Sequence, residues 1–381
     1  MHEAKFYKKL KPPLSPLLRK EGNLQTVACE LCCHFCRINN EGVGICGVRK
    51  NINGKLISLV YGHPAAMNID PIEKKPLFHF LPGSSAFSLG TLGCNFRCDN
   101  CQNWEISQIF SSPLTRGDKG GLYSINKTPS SSPLSGGELS PREIVDQALA
   151  SGCRSIAYTY NEPTVFAEYA LDIMKIAKKN NLKNVWVSNG YMSQICLEAI
   201  LPYLDAANID LKSMDEKFYI KNCGAKLQPI LKNLIALRKA GVHLEITTLV
   251  IPKLSDDPAM LKQAAKFIAH ELGDEVPWHL SRFSPEVSWK LKTTPETDEE
   301  AIFRAYEIGK QAGLKYVYVG NVSGTDKENT YCPACGQLAI KRLGYDITRH
   351  DNNGRCAKCG KDLNILPLTR GSYRHHIPRL D

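Results

Sequence analysis

From Ser85 onward the chain alternates short apolar runs with amphipathic stretches. The runs "SAFSLGTL", "SIAYTY", "NVWVS", "AANIDL", "HLEITTLVI", "WHLSRF" and "KYVYVG" are rich in β-branched and aromatic residues, which predicts strands. Between them, "PTVFAEYALDIMKIAKK" sets Val165, Tyr169, Ile173 and Ile176 on one helical face. "DPAMLKQAAKFIAHEL" and "TDEEAIFRAYEIGKQAG" repeat that period, the second ending at Gly313 in the place of a C-cap. "SPREIVDQALASG" opens a further helix with Ser140 as its N-cap. Such alternation predicts a parallel sheet with crossover helices: an α/β, partial (β/α) barrel of about six units. In barrels of this kind the active site lies at the C-terminal strand ends, where "TYNEP", "SNG", "DLK", "SRF" and "GN" all fall.

The pattern divides the chain into three parts. Residues 1–75 form a loop-rich, cysteine-rich segment, 76–325 the barrel, and 326–381 a small tail. Within the barrel, residues 111–140 are rich in Ser, Gly and Pro and read as a flexible insertion. No window approaches 18 apolar residues and the N-terminus lacks an apolar signal stretch, so a cytoplasmic protein without membrane contact is expected. The net charge of +10 is spread over lysines on the helical stretches. A solvated basic surface is therefore favoured over a nucleic-acid interface.

Cysteine placement changes the picture more than charge does. Fifteen cysteines in a large chain without a signal, mostly clustered, favour thiolate–metal chemistry over disulfides. Cys94, Cys98 and Cys101 lie in "GCNFRCDNCQNW", spaced C-x3-C-x2-C, directly after the first predicted barrel strand. A cluster of four irons normally takes four thiolates, and three leave one iron open to a small molecule. A zinc knuckle is the plainer alternative. "CPAC" and "CAKC" place Cys332, Cys335, Cys356 and Cys359 as two C-x2-C pairs, each followed by glycine. Four thiolates with no open position describe a structural zinc ribbon, with a second iron–sulfur cluster as the rival. In "CELCCHFCRINNEGVGICGVR", Cys29, Cys32, Cys36 and Cys46 suggest another metal site, zinc in the favoured reading and an auxiliary iron–sulfur cluster in the other. Cys33 or His34 could substitute as ligands there. Cys153, Cys196 and Cys223 are scattered and read as buried small hydrophobes or idle thiols.

The cysteine loop, together with "AYTYNEPTVFAEY", "VSNGY", "NIDLKSMDEKFYIKNCGA", "HLEITTLVIP", "PWHLSRFSP", "YVYVGN" and "TYCPACG", resembles the radical S-adenosylmethionine (SAM) superfamily. The nearest branch is the radical SAM enzyme of the AmmeMemoRadiSam system, a relative of pyruvate formate-lyase activating enzyme. The resemblance implies a [4Fe-4S] cluster on Cys94, Cys98 and Cys101, with SAM chelating the fourth iron. It further implies reductive cleavage of SAM to a 5′-deoxyadenosyl radical that abstracts hydrogen from an unknown substrate, the electron coming from an external donor. Carried over by motif, Glu162 accepts from the SAM amino group, and Ser188 and Asn189 take its carboxylate or ribose. Asp210 and Lys212 lie near SAM, as do His279 or Arg282; structural ion pairs are the alternative for Lys212 and Arg282. Asn100 and Val187 depart from the pattern, standing where an aromatic residue and an aspartate are expected. Memo-like and AMMECR-type proteins are the partners the resemblance suggests. Two other functions compete: a glycyl-radical enzyme activase, and a non-enzymatic zinc-dependent adaptor or nucleic-acid-binding protein.

Overall fold

One eight-stranded sheet organises the fold. The computed structural model describes residues 2–10, 25–108 and 137–366. Its sheet runs β1 (Ala66–Pro71), β2 (Ser85–Gly90), β3 (Ser155–Tyr158), β4 (Lys183–Ser188), β5 (Ala206–Asp210), β6 (His243–Val250), β7 (Trp278–Arg282) and β8 (Val317–Gly320). The strands lie side by side in chain order. β1 and β2 are antiparallel and every later pair is parallel. The seven apolar runs of the sequence are β2–β8. β1 is an addition: in "AMNIDP" the apolar Ile69 is exposed beside Asn68 while the polar Asp70 is buried, so it carries no strand period. The sheet therefore begins before residue 76, inside the stretch read from sequence as a separate segment. Most of the 111–140 insertion falls outside the described residues.

Parallel pairing requires crossovers, supplied by helices such as Pro141–Ala150, Ala167–Lys179, Leu227–Lys239, Pro258–Phe267 and Glu299–Gln311. Ser140 caps the first: its Oγ accepts the Glu143 amide at 3.3 Å while the Glu143 carboxylate accepts the Ser140 amide at 2.7 Å. The helices bury Val165, Tyr169 and Ile173 with Ile156, Tyr158, Trp186, Ile209, Ile246 and Trp278 from one face of the sheet.

On the other face the alternating positions are small: Ala86, Ala157, Val185 and Ala206. That leaves room for the chain between β1 and β2 to turn inward, where Ile72, Leu77, Phe80 and Leu81 fill the N-terminal end of the barrel. Buried Glu245 fixes this plug by accepting the Phe78 and His79 amides at 2.9 and 2.8 Å.

The C-terminal ribbon closes the same end. Its three strands, Thr330–Tyr331, Leu338–Leu343 and Asp346–Arg349, surround a core of Cys332, Ala339, Ile340, Cys356, Leu363 and Ile365. Arg342, buried, donates to the Phe78 carbonyl at 2.8 Å and lies 4.1 Å over the Phe78 ring. Tyr318 of β8 bonds Thr330 at 2.8 Å. Among the described residues no helix is long and apolar enough to cross a membrane.

Candidate functional site

The opposite, C-terminal end of the sheet gathers the polar motifs. β2 leads through Gly93 into the three-cysteine loop. At Gly93 φ is +86° and an added Cβ would sit 2.5 Å from the Cys46 carbonyl oxygen, so only glycine fits. The loop is pinned by backbone bonds from Arg97 to the Cys223 carbonyl (2.8 Å), Asp99 to Asn222 (3.0 Å) and Cys101 to Cys98 (3.1 Å). The Phe96 amide points at Cys94 Sγ, 3.4 Å away. Cys98 is buried and its two companions are half-buried.

Burial pushes the Cys94 thiol well up and the Cys101 thiol up to about 11, and each feels the charge of Cys98. A hydrogen bond with Cys223, followed by burial, raises Cys98 as well. Free thiols here stay protonated at neutral pH, so ionising all three requires bound positive charge, which a metal centre supplies. Among the described residues, the only group of three or more His, Cys, Asp or Glu whose ligand atoms all lie within 4.8 Å of one another is Cys332, Cys335, Cys356 and Cys359. The three loop sulfurs are thus too spread for one ion, as a cluster with one iron per thiolate requires. Beside them the buried Asn95 Nδ2 and Asn161 Oδ1 have no protein partner, polar atoms available to a ligand. The site fits the group that the loop implies.

The turn after β3 sets the next layer. Tyr160 takes φ +70°, a left-handed conformation costly for a bulky residue. Its hydroxyl donates to Asp70 at 2.6 Å and its carbonyl accepts from Asn103 at 2.6 Å, which holds it there. Two residues on, the buried Glu162 carboxylate collects its neighbours. Oε1 accepts from the Thr164 amide (3.0 Å), the Thr164 hydroxyl (2.5 Å) and Ser188 Oγ (2.8 Å), while Oε2 accepts only the Asn189 amide (2.8 Å). A carboxylate offers about four lone-pair sites, two per oxygen, so Oε2 keeps capacity for another donor. Burial raises the Glu162 pKa, and its charge is felt at Cys94. Asn189 Nδ2 completes the link to the loop by donating to Asn95 Oδ1 at 2.8 Å.

Lys212 pairs with Asp210 at 2.8 Å, and its charge acts on both Cys98 and Cys101. Glu162, Ser188, Asn189, Asp210 and Lys212 are therefore brought to the cysteine loop. His279 and Arg282 are not. The His279 imidazole bonds Glu245 at 2.6 Å and packs against Phe78 and Tyr318, in the plugged end. Arg282 donates to the Thr297 carbonyl at 2.7 Å and pairs with Glu296 at 3.1 Å. Both side chains serve the scaffold.

Sequence reasoning set Cys223 aside, yet it lies against Cys98; the single signal was its place inside the "DLK" motif segment. Asn100, the departure from an aromatic, accepts from Asn222 at 2.9 Å. Val187 packs on the apolar plug, where no carboxylate is offered.

The two flanking cysteine groups differ. In the ribbon, Cys332 and Cys359 lie 3.6 Å apart, as do Cys335 and Cys356. Near the N-terminus, Cys29, Cys32, Cys36 and Cys46 line one small cavity with His34 and Arg49. Cys33 points away, its Sγ donating to the Met192 carbonyl at 3.2 Å.

Residues 89–268 match the family described as the Radical SAM superfamily. An uncharacterized protein of Methanocaldococcus jannaschii is 40% identical over 369 residues, 96% of this chain and 100% of that protein. The (2S)-3-sulfopropanediol dehydratase activating enzyme of Klebsiella oxytoca is 28% identical over 115 residues, 30% of this chain and 36% of that enzyme. Among solved structures, a radical SAM methyltransferase from Sphaerobacter thermophilus aligns with a TM-score of 0.46 at 15% identity, covering 68% of this chain and 71% of that one.

Proposed function

Because the chain belongs to the radical SAM superfamily and is an S-adenosylmethionine-dependent enzyme, we propose that Cys94, Cys98 and Cys101 hold its [4Fe-4S] cluster and that Glu162 receives the SAM amino group. The observation that carries this reading is the bond chain from Glu162 through Asn189 to Asn95, the residue after Cys94. When bound, cluster and SAM supply the electron transfer and the 5′-deoxyadenosyl radical for hydrogen abstraction. The chain's own residues do the rest. Glu162 Oε2 offers a charged acceptor to an ammonium group. Ser188, Thr164 and the Asn189 amide hold that carboxylate in one orientation. Asn95 Nδ2 and Asn161 Oδ1 supply a donor and an acceptor at the loop, and Lys212 sets positive charge beside two of the cysteines.

Spacing supports zinc at the ribbon. A zinc–sulfur bond of about 2.3 Å gives a tetrahedral edge of about 3.8 Å, against the 3.6 Å between the paired sulfurs. Thiolates on separate irons stand wider. The ribbon would then be a structural cap on the plugged end.

The substrate remains a proposal in kind: a small molecule or a protein, with Memo-like and AMMECR-type proteins as partners on motif resemblance. A second reading, activation of a glycyl-radical enzyme, is favoured by the matched activating enzyme and disfavoured by Val187. The adaptor reading leaves the strand-end motifs unused.

The test is 5′-deoxyadenosine release from anaerobically reconstituted protein given SAM and a strong reductant, beside Cys98→Ala. Release by the wild type alone supports the proposal. Equal release by both, or a loop that takes up zinc and no iron, overturns it.

A further inference from the structure

The N-terminal cavity is lined by four thiols and one guanidinium whose chemistry the proposed reaction does not use. Cys29, Cys32 and Cys46 are buried and Cys36 is half-buried. A single tetrahedral ion needs every sulfur within twice its bond length, about 4.6 Å, of the others. The ribbon cysteines meet that condition; no three of these four do, since among the described residues no such group occurs here. Four thiolates converging on one cavity but standing too far apart for one ion are the ligand set of a multi-iron centre, in which each sulfur binds its own metal.

Arg49 adds an independent observation. It is 1% exposed and lines the same cavity. Glu168 takes both terminal nitrogens, with Nη1 donating at 2.8 Å. The remaining donor, Nε, is buried and has no partner within the protein. An unmatched buried N–H is costly, and inorganic sulfide or a cysteine thiolate of a bound cluster would accept it, as hydrogen bonds to cluster sulfurs commonly do.

We propose that Cys29, Cys32, Cys36 and Cys46 bind a second iron–sulfur cluster, of the [4Fe-4S] type, with Arg49 Nε donating to it. This settles on iron where the sequence alone favoured zinc. The centre adjoins the first one: His34 Nε2 bonds the Asn95 carbonyl at 2.8 Å, Arg97 bridges the Ile45 and Cys94 carbonyls, and Gly93 packs on the Cys46 carbonyl. The inference goes beyond the SAM reading and is tested separately from it.

The experiment measures iron, sulfide and zinc in the anaerobically reconstituted full chain. About eight irons and one zinc per chain are expected, four irons for each centre. About four irons and two zincs would overturn the proposal while leaving the SAM loop intact. The variant Cys94→Ser/Cys98→Ser/Cys101→Ser should keep about four irons and the broad visible absorption of an iron–sulfur centre. Loss of all iron from that variant, with its circular dichroism unchanged, would also overturn it. In the reciprocal variant Cys29→Ser/Cys36→Ser, about four irons should be lost; full retention of wild-type iron would exclude these ligands. If the loop variant keeps all eight irons, the failure belongs to the SAM reading instead.

Discussion

Ser188 and Glu162 are joined across two neighbouring strand ends, Ser188 Oγ donating to Glu162 Oε1 at 2.8 Å. The next amide, that of Asn189, donates to Oε2 at the same distance. The pair turns a buried carboxylate into an oriented acceptor facing the cysteine loop. Its burial cost is met by four donors, two from Thr164 just after "TYNEP" and two from Ser188 and Asn189 of "SNG".

Replacing that carboxylate tests its role. Glu162→Gln puts an amide NH2 among donors, leaving at least one of them unmatched. We expect a stability loss of about 1–3 kcal/mol and, from the lost charge, SAM affinity reduced by about tenfold or more. Ser188→Ala removes a single donor and should cost less on both counts. Equilibrium binding of SAM and urea denaturation check this; unchanged SAM affinity in Glu162→Gln would remove Glu162 from the site.

A second buried carboxylate predicts a pH dependence. Burial opposes ionisation of Asp70, but Lys75 at 2.6 Å, Tyr160 and Lys74 outweigh it and hold its carboxyl well below the usual range. Its folded pKa is depressed, so its stabilisation is complete above about pH 4 and is lost as pH falls through the folded value. Asp70→Asn strands the buried Lys75 ammonium and should cost roughly 3–5 kcal/mol at neutral pH. The wild-type and variant stabilities should converge as pH falls below about 4. A gap that stays constant from pH 7 to pH 3 would contradict the assignment.

Most of the scaffold was legible because β2–β8 are apolar runs whose period has no other reading. β1 escaped because its pairing with β2, not its own composition, makes it a strand. The plug of Phe78–Leu81 escaped for a related reason: an inward turn is specified by Ala86, Ala157, Val185 and Ala206, which are distant in sequence. Motif spacing singled out Glu162, Ser188, Asn189, Asp210 and Lys212, which the structure brings to the loop. It failed for His279, since the position of a strand residue along the barrel axis depends on sheet register, and here Glu245 two strand positions into β6 claims the imidazole. It failed for Arg282 because Glu296 and Thr297 lie in the loop beyond β7, and loops leave little pattern. The cysteine groups were found by spacing, but which metal each suits depends on sulfur separation, a three-dimensional quantity.

The ribbon's role as a cap has a measurable consequence. Arg342, Thr330 and Leu366 reach from it to Phe78, Tyr318 and His79 in the plugged end. Cys335→Ser/Cys359→Ser should release one zinc per chain while leaving iron content unchanged. It should also lower Tm, by about 1 °C for each kcal/mol of lost stability in a chain of 381 residues. Metal analysis and scanning calorimetry decide the matter. Zinc retained in full by the variant would mean that these four sulfurs are not its ligands.

Gly93 offers the sharpest test of how the cysteine loop and the N-terminal segment are joined. Gly93 and Gly241 both hold positive φ, +86° and +76°. An added Cβ meets nothing at Gly241, but at Gly93 it meets the Cys46 carbonyl at 2.5 Å and Val48 Cγ1 at 2.7 Å. Gly241→Ala therefore carries only the backbone penalty, about 1 kcal/mol, whereas Gly93→Ala must also push two cysteine-bearing segments apart. We expect Gly93→Ala to cost roughly 2 kcal/mol more than Gly241→Ala, at the upper end of what strained and overpacked sites show. The displaced loop should also surrender iron to a chelator faster than in the wild type, while Gly241→Ala releases it at the wild-type rate. Equal stability and equal iron release in the two variants would mean that the contact between Gly93 and Cys46 does not hold the loop in place.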